Sequence, residues 1–411
     1  MSKLAYSSFV SRRLLTKKGN LSTAGHMLNF TVAAVALCTA VVLLTLFIGE
    51  GFKKGVKRNV SLLTGDLYIS PYADEEKKSD FFVPDKKLMD YLAAHPKIKK
   101  VATSLKVPGL LKSDSSFIGI LAIGLSSDDY STISRAFGTE PIADSVFTQG
   151  NALHISAASM HKLGVHRHAP LFFYTLSDKL RIRPMVLRAT SDIPEVSFPI
   201  AFIPIDRARN LCAAPPGSIS SIEIYVKNGV SPEDLADELV VALSNKGLSN
   251  GAHLGISTAK ETYPPLYEWL DMLDGNMLLL IIIMAIVASF TVASGALILI
   301  LDRTYMIGVL KALGADNHGV RMIFMWLGAR IVGHGLLWGN LLAFFVAGAQ
   351  LLFHFITLDS SVYYISYVPI YINPYSWVLC NLVGFFFLCC IILLPTEIIS
   401  KISPVNTLHF D

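Results

Sequence analysis

Residues 302–321 read DRTYMIGVLKALGADNHGVR, a short stretch set between two long apolar segments. Met306, Val309, Leu310 and Leu313 recur at helical spacing and form one apolar stripe. Lys311 falls in the last turn and Gly314 follows, a cation and a stop signal where a helix C-terminus favours both. Asp316 or Asn317 then caps a second helix that runs into the next apolar segment. The stretch predicts a short amphipathic helix held between two membrane spans. Its apolar stripe either meets another protein surface or lies on lipid headgroups.

Working outward, residues 276–301 carry no charge at all, long enough for one bilayer crossing. Three further segments are long and predominantly apolar: 27–48, 322–357 and 374–394, the second of them carrying Arg330 and His334. Residues 1–26 carry Lys3, Arg12, Arg13, Lys17 and Lys18 without an acid, so the N-terminus is expected in the cytoplasm. Arg12-Arg13 also resembles a twin-arginine export signal, but 22 apolar residues without a following small-residue cleavage site read as a permanent span. Four crossings place the 1–26 segment, the 302–321 stretch and the 395–411 tail inside. They place residues 49–275 and the aromatic loop 358–373 outside.

The chain of 411 residues has a mean hydropathy of +0.51 and 16% charged residues, values that call for both spans and a polar domain. A net charge of +4 without a basic cluster beyond the N-terminus excludes nucleic acid as a partner. Four of the five cysteines lie in apolar segments, and only Cys212 lies in the polar region, which rules out a disulfide within it.

Residues 49–275 are enough for one or two cores. Strands are expected at Asp66–Ser70, Phe117–Ile123, Met185–Ala189, Ile200–Ile203 and Ser221–Val226, and helices at Asp85–Ala94, Ala152–Leu163 and Ser231–Leu243. The expected fold class is a membrane protein of four transmembrane α-helices, with a large α+β domain inserted between the first and second. Ile48, Phe52, Val56 and Val60 continue helical spacing beyond the first span, and Leu266–Leu273 leads into the second. These are either stalk helices that transmit motion or ordinary membrane-exit turns.

Motifs for chemistry are missing. No Walker phosphate loop, nucleophile elbow or zincin helix occurs, so no catalytic residue is expected. His161, His166 and His168 cluster without a carboxylate or cysteine at ligand spacing, and no metal site is assigned to them. Arg330 and His334 lie one helical turn apart near the start of the third span, as anchors or as proton-coupling groups.

Four stretches carry a family resemblance: FVSRRLLTKK with GFKKGVKRNV; NALHISAASMHKLGV with RIRPMVLRATSD and FIPIDRARNL; RTYMIGVLKALGADNHGVRMIF; and YYISYVPIYINP with PTEIISKISPVNTLHFD. Together they resemble the FtsX/MacB/LolC-LolE family of ABC-transporter permeases, most closely its lipoprotein-releasing branch. The resemblance implies a bacterial inner-membrane subunit with a periplasmic domain, paired with a second permease copy or paralogue. Separate ABC ATPase subunits would use ATP and Mg, with no cofactor bound by this chain. ATP hydrolysis would extract a membrane lipoprotein for handover to a periplasmic carrier. The 302–321 stretch would be the coupling helix, with Met306, Val309, Leu310, Lys311, Leu313 and Gly314 at the ATPase. Thr175–Arg183 stands where one family member grips the carrier, but it is short and lacks that member's proline. Leu43, Phe47, Met277 and Leu280 are expected either to line a lipid cavity at the outer ends of the first two spans or to face lipid. Two alternatives stand beside this reading: a MacB-like mechanotransmission permease for peptides or other envelope substrates, and a membrane-anchored sensor or scaffold.

Overall fold

The computed structural model describes residues 23–71, 81–137, 139, 141–143, 146–147, 151–175, 181–191, 193, 198–246, 254–358, 363, 365 and 367–401. The chain divides into two compact units. A helical unit comprises Met1–Lys53, Leu270–Ile356 and Val368–Asp411; an α+β unit comprises Lys54–Trp269 and Thr357–Tyr367.

Four long helices, α1 (Thr23–Thr64), α8 (Pro264–Asp302), α10 (Asn317–Phe353) and α11 (Pro374–Thr396), are long and apolar enough to cross a membrane. Within the helical unit, α1 and α10 meet along matched rows of every fourth residue. Val35, Thr39, Leu43 and Phe47 on α1 answer Gly335, Gly339, Ala343 and Ala347 on α10. A Cβ at Gly335 would lie 2.6 Å from Val35 Cγ1, and one at Gly339 only 2.7 Å from the Ala36 carbonyl oxygen. Small side chains thus let the two backbones approach closely, which is how helices associate where the surroundings are as apolar as leucine. Gly295 of α8 takes the same role against Thr31. Asn340, Asn381 and Trp377 form a polar knot between α10 and α11: Trp377 Nε1 donates to Asn340 Oδ1 at 2.6 Å, and Asn340 Nδ2 to Asn381 Oδ1 at 2.7 Å.

α1 and α8 are each unbroken well beyond the apolar spans expected for them. Val56 and Val60, on the predicted extension of the first span, are fully buried, and Lys57 Nζ stands 5.7 Å from the Tyr267 ring centre.

Among the described residues the α+β unit holds nine strands in the order β3-β7-β4-β6-β5-β2-β8-β1-β9, with β2 also pairing β3. β2 (Ile98–Lys112) is the shared member. Its first half pairs β8 (Ser221–Val226), which pairs β1 (Leu67–Pro71), and β1 in turn pairs β9 (Leu254–Thr258). Its second half pairs both β3 (Phe117–Leu125) and β5 (Pro170–Thr175), so that β2, β3, β7 (Ile200–Pro204), β4 (Ala152–Ser156), β6 (Arg181–Ser191) and β5 close into a ring. Pro108-Gly109 lies in that second half of β2, and a Cβ at Gly109 would come within 2.5 Å of the Tyr174 carbonyl oxygen. One core fills the ring, with Leu105, Leu153, Phe173, Leu187 and Ile203. A second lies under β1 and β8, covered by α2 (Lys86–Ala94) and α6 (Pro232–Lys246).

The five expected strands and the helices after Asp85 and Ser231 are present, most with ends shifted by one to a few residues. The expected helix at Ala152–Leu163 is a correction. Ala152–Ser156 is a fully buried strand, and α4 (Ala157–Leu163) starts only after Ser156, whose side chain caps it by accepting from Ser159 N. An all-buried strand has no alternation to betray it.

One buried polar chain runs over β4 and β6 on the face away from the ring core. Tyr130 Oη lies 3.1 Å from His154 Nδ1, and His154 Nε2 lies 2.8 Å from Ser191 Oγ. Burial, reinforced by the Arg167 charge, pulls His154 from 6.5 down to about 4 and holds it neutral.

Two predictions follow from these packings. Gly339→Leu forces α10 off α1 and lowers the thermal stability of the detergent-solubilised protein, by about 1–3 kcal/mol on the usual scale of overpacking, whereas Gly348→Leu, with open space around it, leaves stability unchanged. A histidine depressed in the fold contributes stability that is present above 6.5 and lost as pH falls towards 4, because the unfolded chain takes up the proton first. A thermal-unfolding series should show this loss, of order 3 kcal/mol at its limit, and His154→Gln should flatten it.

Candidate coupling site

α9 (Thr304–Ala312) forms the predicted short helix. Gly314 adopts φ +89°, Gly314 N donates to Lys311 O at 3.0 Å, and Ala315 N reaches back to Leu310 O at 2.9 Å, so the stop signal acts as a left-handed C-cap. Asp316 is the cap of α10, accepting from Gly319 N at 2.9 Å.

The fold splits the expected apolar stripe between two faces. Ile307 is fully buried, packed with Ile300 of α8, Val320 and Phe324 of α10, and Ile399 of the short α12 (Ile398–Lys401). Met306 and Leu310 lean on the same cluster and are half-buried. Of the row Tyr305, Val309 and Leu313, spaced by four, Tyr305 and Leu313 are exposed, Leu313 at 80%, and Val309 between them is half-buried. Lys311 also faces inward: its Nζ donates to Ile399 O at 2.5 Å, and desolvation, with the nearby Arg321 charge, pulls its pKa below the ordinary lysine value. Arg321 pairs with Glu397 at 2.5 Å, a second tie between α10 and the chain end. α9 is thus clamped by three segments along one side and presents an apolar row on the other. Such a helix can pass a push at Tyr305–Leu313 into α8 and α10 rather than bending away from it.

The residues expected to line a cavity lie elsewhere. Leu43 and Phe47 are buried in the seam with α10; Met277 packs over Gly49; Leu280 is 45% exposed. A cavity of about 530 Å³ does exist in the helical unit, lined instead by Cys38, Thr39, Val42 and Leu46 of α1 with residues of α8 and α11 and Leu336 of α10. One residue along a helix is a 100° turn, so 43 and 47 belong to the row that packs while 42 and 46 belong to the row that opens. The spacing of residues 38, 42 and 46 was visible in the sequence; what it faced was not.

Other candidates stay apart from this site. His161, His166 and His168 are exposed, and among the described residues no three His, Cys, Asp or Glu side chains converge as a metal site would require. His334 Nδ1 donates to the Arg330 carbonyl at 2.7 Å, a local helix contact.

Family models fit both parts of the chain. The model for the MacB-like periplasmic core domain matches residues 30–241, just over half the chain, and that for the FtsX-like permease C-terminal matches residues 278–404. The chain belongs to the MacB-like periplasmic core domain family. With both matches it is an ABC-transporter permease of the FtsX/MacB type, a class of transport subunit that works with ABC ATPase partners. No curated protein matches it. Among solved structures it is similar to the extracellular domain of the noncanonic ABC-type transporter YknZ from Gram-positive bacteria (10% identity, 47% of this chain and 99% of that one, TM-score 0.33). It is also similar to the periplasmic region of MacB from Actinobacillus actinomycetemcomitans (12% identity, 52% and 97%, TM-score 0.34).

The two faces of α9 should separate by mutation. Ile307→Asp buries a charge in the clamp and costs more than about 2 kcal/mol, read as lost thermal stability. Leu313→Asp, on the open face, leaves the melting curve in place.

Proposed function

We propose that this permease couples ATP hydrolysis by a separate cytoplasmic ATPase to the release of lipoproteins from the bacterial inner membrane, for transfer towards the outer membrane. The observation that carries the coupling role is α9, clamped on its Ile307 side and apolar on its Tyr305–Val309–Leu313 side. In this reading α1, α8, α10 and α11 span the membrane, both termini are cytoplasmic, and the 49–275 domain is periplasmic. A push on Leu313 enters α8 through Ile300, and the unbroken α1 and α8 carry it into the periplasmic domain. A second permease copy or paralogue completes the transporter. ATP and Mg act in the ATPase.

Lipoprotein as the substrate is supported by the resemblance of the YYISYVPIYINP loop to the lipoprotein-releasing branch. The work is of the kind an ATPase supplies: each acyl CH₂ drawn into water costs about 0.8 kcal/mol. The match to a MacB-like periplasmic core supports a second reading equally well, mechanotransmission for peptides or other envelope substrates.

Detergent co-purification tests the coupling role. The wild-type chain brings an ATPase subunit with it, and Leu313→Asp loses that subunit at least tenfold while inserting normally; equal recovery from both would remove α9 from the interface. Depletion followed by envelope fractionation tests the substrate. Lipoproteins retained in the inner membrane support release, and a normal outer-membrane distribution moves the assignment to the MacB-like alternative.

A further inference from the structure

The 530 Å³ cavity has a shape and chemistry that the coupling role does not use. On α11 it runs from Ser376 to Leu388, twelve residues or about 18 Å of helix. That is close to one leaflet, half of a hydrocarbon core about 30 Å thick. Ser376 lies just inside the start of α11, at the end of the cavity where Glu50 of α1 accepts its hydroxyl at 2.6 Å. The opposite end, at Cys38, Ala288 and Leu388, is apolar.

Three polar side chains line the cavity: Thr39, Ser376 and Asn381. Asn381 Nδ2 donates to Asn340 Oδ1 at 3.2 Å and to the Trp377 carbonyl at 2.9 Å, and Ser376 donates to Glu50. No charged side chain lines the wall. An occupant therefore has little to hydrogen-bond along its length, which suits hydrocarbon better than water. The cavity is open on one flank: Leu379, Val383 and Phe387, at successive helical turns of α11, both line it and remain more than 40% exposed.

We propose that this cleft between α1, α8 and α11 is a binding site for one acyl chain of a bilayer phospholipid. The chain enters sideways from the outer leaflet with its glycerol ester end beside Ser376 and its methyl end beside Leu388. A side opening along the full depth suits a lipid whose second chain and headgroup stay in the leaflet. A narrow slot one leaflet long does not suit a triacylated protein anchor, which has all its chains to house. This inference rests on the membrane-spanning reading of the four helices and not on the lipoprotein assignment.

Photocrosslinking tests it. The full-length protein is placed in nanodiscs with phosphatidylethanolamine carrying a diazirine at the end of one chain, and in parallel with a triacylated lipopeptide carrying the same group. Labelled residues are mapped by mass spectrometry. A Cβ at Gly384 meets no atom within 4 Å, so Gly384→Ala, Gly384→Leu and Gly384→Phe fill the cleft in graded steps without a clash. The phospholipid should label peptides containing Cys38, Ala288 and Leu388, and labelling should fall stepwise to at least fivefold lower in the largest variant that folds. Gly348→Phe, an equally open glycine outside the cleft, should leave it unchanged. Labelling of the cleft that ignores the Gly384 series, or labels spread evenly over outward-facing positions, overturns the site. Labelling by the lipopeptide but not by the phospholipid overturns the choice of occupant. ATPase co-purification is read in the same samples, so failure of the lipid site is distinguishable from failure of the coupling role.

Discussion

Helices surrounded by hydrocarbon gain nothing by hiding apolar side chains from it, so the helical unit depends on how closely two backbones can come. Gly335, Gly339, Ala343 and Ala347 remove side-chain bulk from one stripe of α10, and Val35, Thr39, Leu43 and Phe47 fill what is left. The other helices then take positions relative to this pair: α11 by the Asn340–Asn381–Trp377 knot and by Gly328 against Ile392, α8 by Gly295 against Thr31. None of these contacts is large. Each fixes a rotation about a helix axis, and in apolar surroundings rotation is what packing has to specify.

The same logic explains why α9 is not a loose loop. Nine residues are too few for a helix to be stable by itself, so its stability comes from Ile307 in a cluster drawn from three other segments. Lys311 and Arg321 add directional ties to the chain end, one to a backbone carbonyl and one to Glu397. Outside that cluster lies the row of Tyr305, Val309 and Leu313. An exposed leucine alone needs no explanation. Three apolar residues on successive turns of a helix that is otherwise fully committed form a surface with a defined direction.

How much of this was legible in the sequence depended on where the partner residues came from. The helix at 304–312, its Gly314 stop and the Asp316 cap rest on neighbours within a few residues, and the local pattern carried them. Ile307 was overlooked because the residue that makes it the inner face, Ile399, lies some ninety positions further on. Leu43 and Phe47, expected either to line a lipid cavity or to face lipid, sit in the α10 seam, and hydropathy could not show it: it marks a span but says nothing about which stripe meets which helix. The GxxxG spacing at Gly335 and Gly339 was a signal that could have corrected this, because it names the stripe of close approach. β2 was missed on different grounds. Pro108-Gly109 reads as a turn, yet here it lies inside a long strand, in the half that pairs two neighbours at once.

Seen from α1, these results divide one helix into two functional sides. The row 35–39–43–47 is committed to α10 at backbone distance and has no room to move. The row 38–42–46, turned by 100°, borders empty apolar space. α1 is therefore packed tightly along one row and bordered by an opening along the next, and in the lipid-binding reading proposed above hydrocarbon from the bilayer occupies that opening.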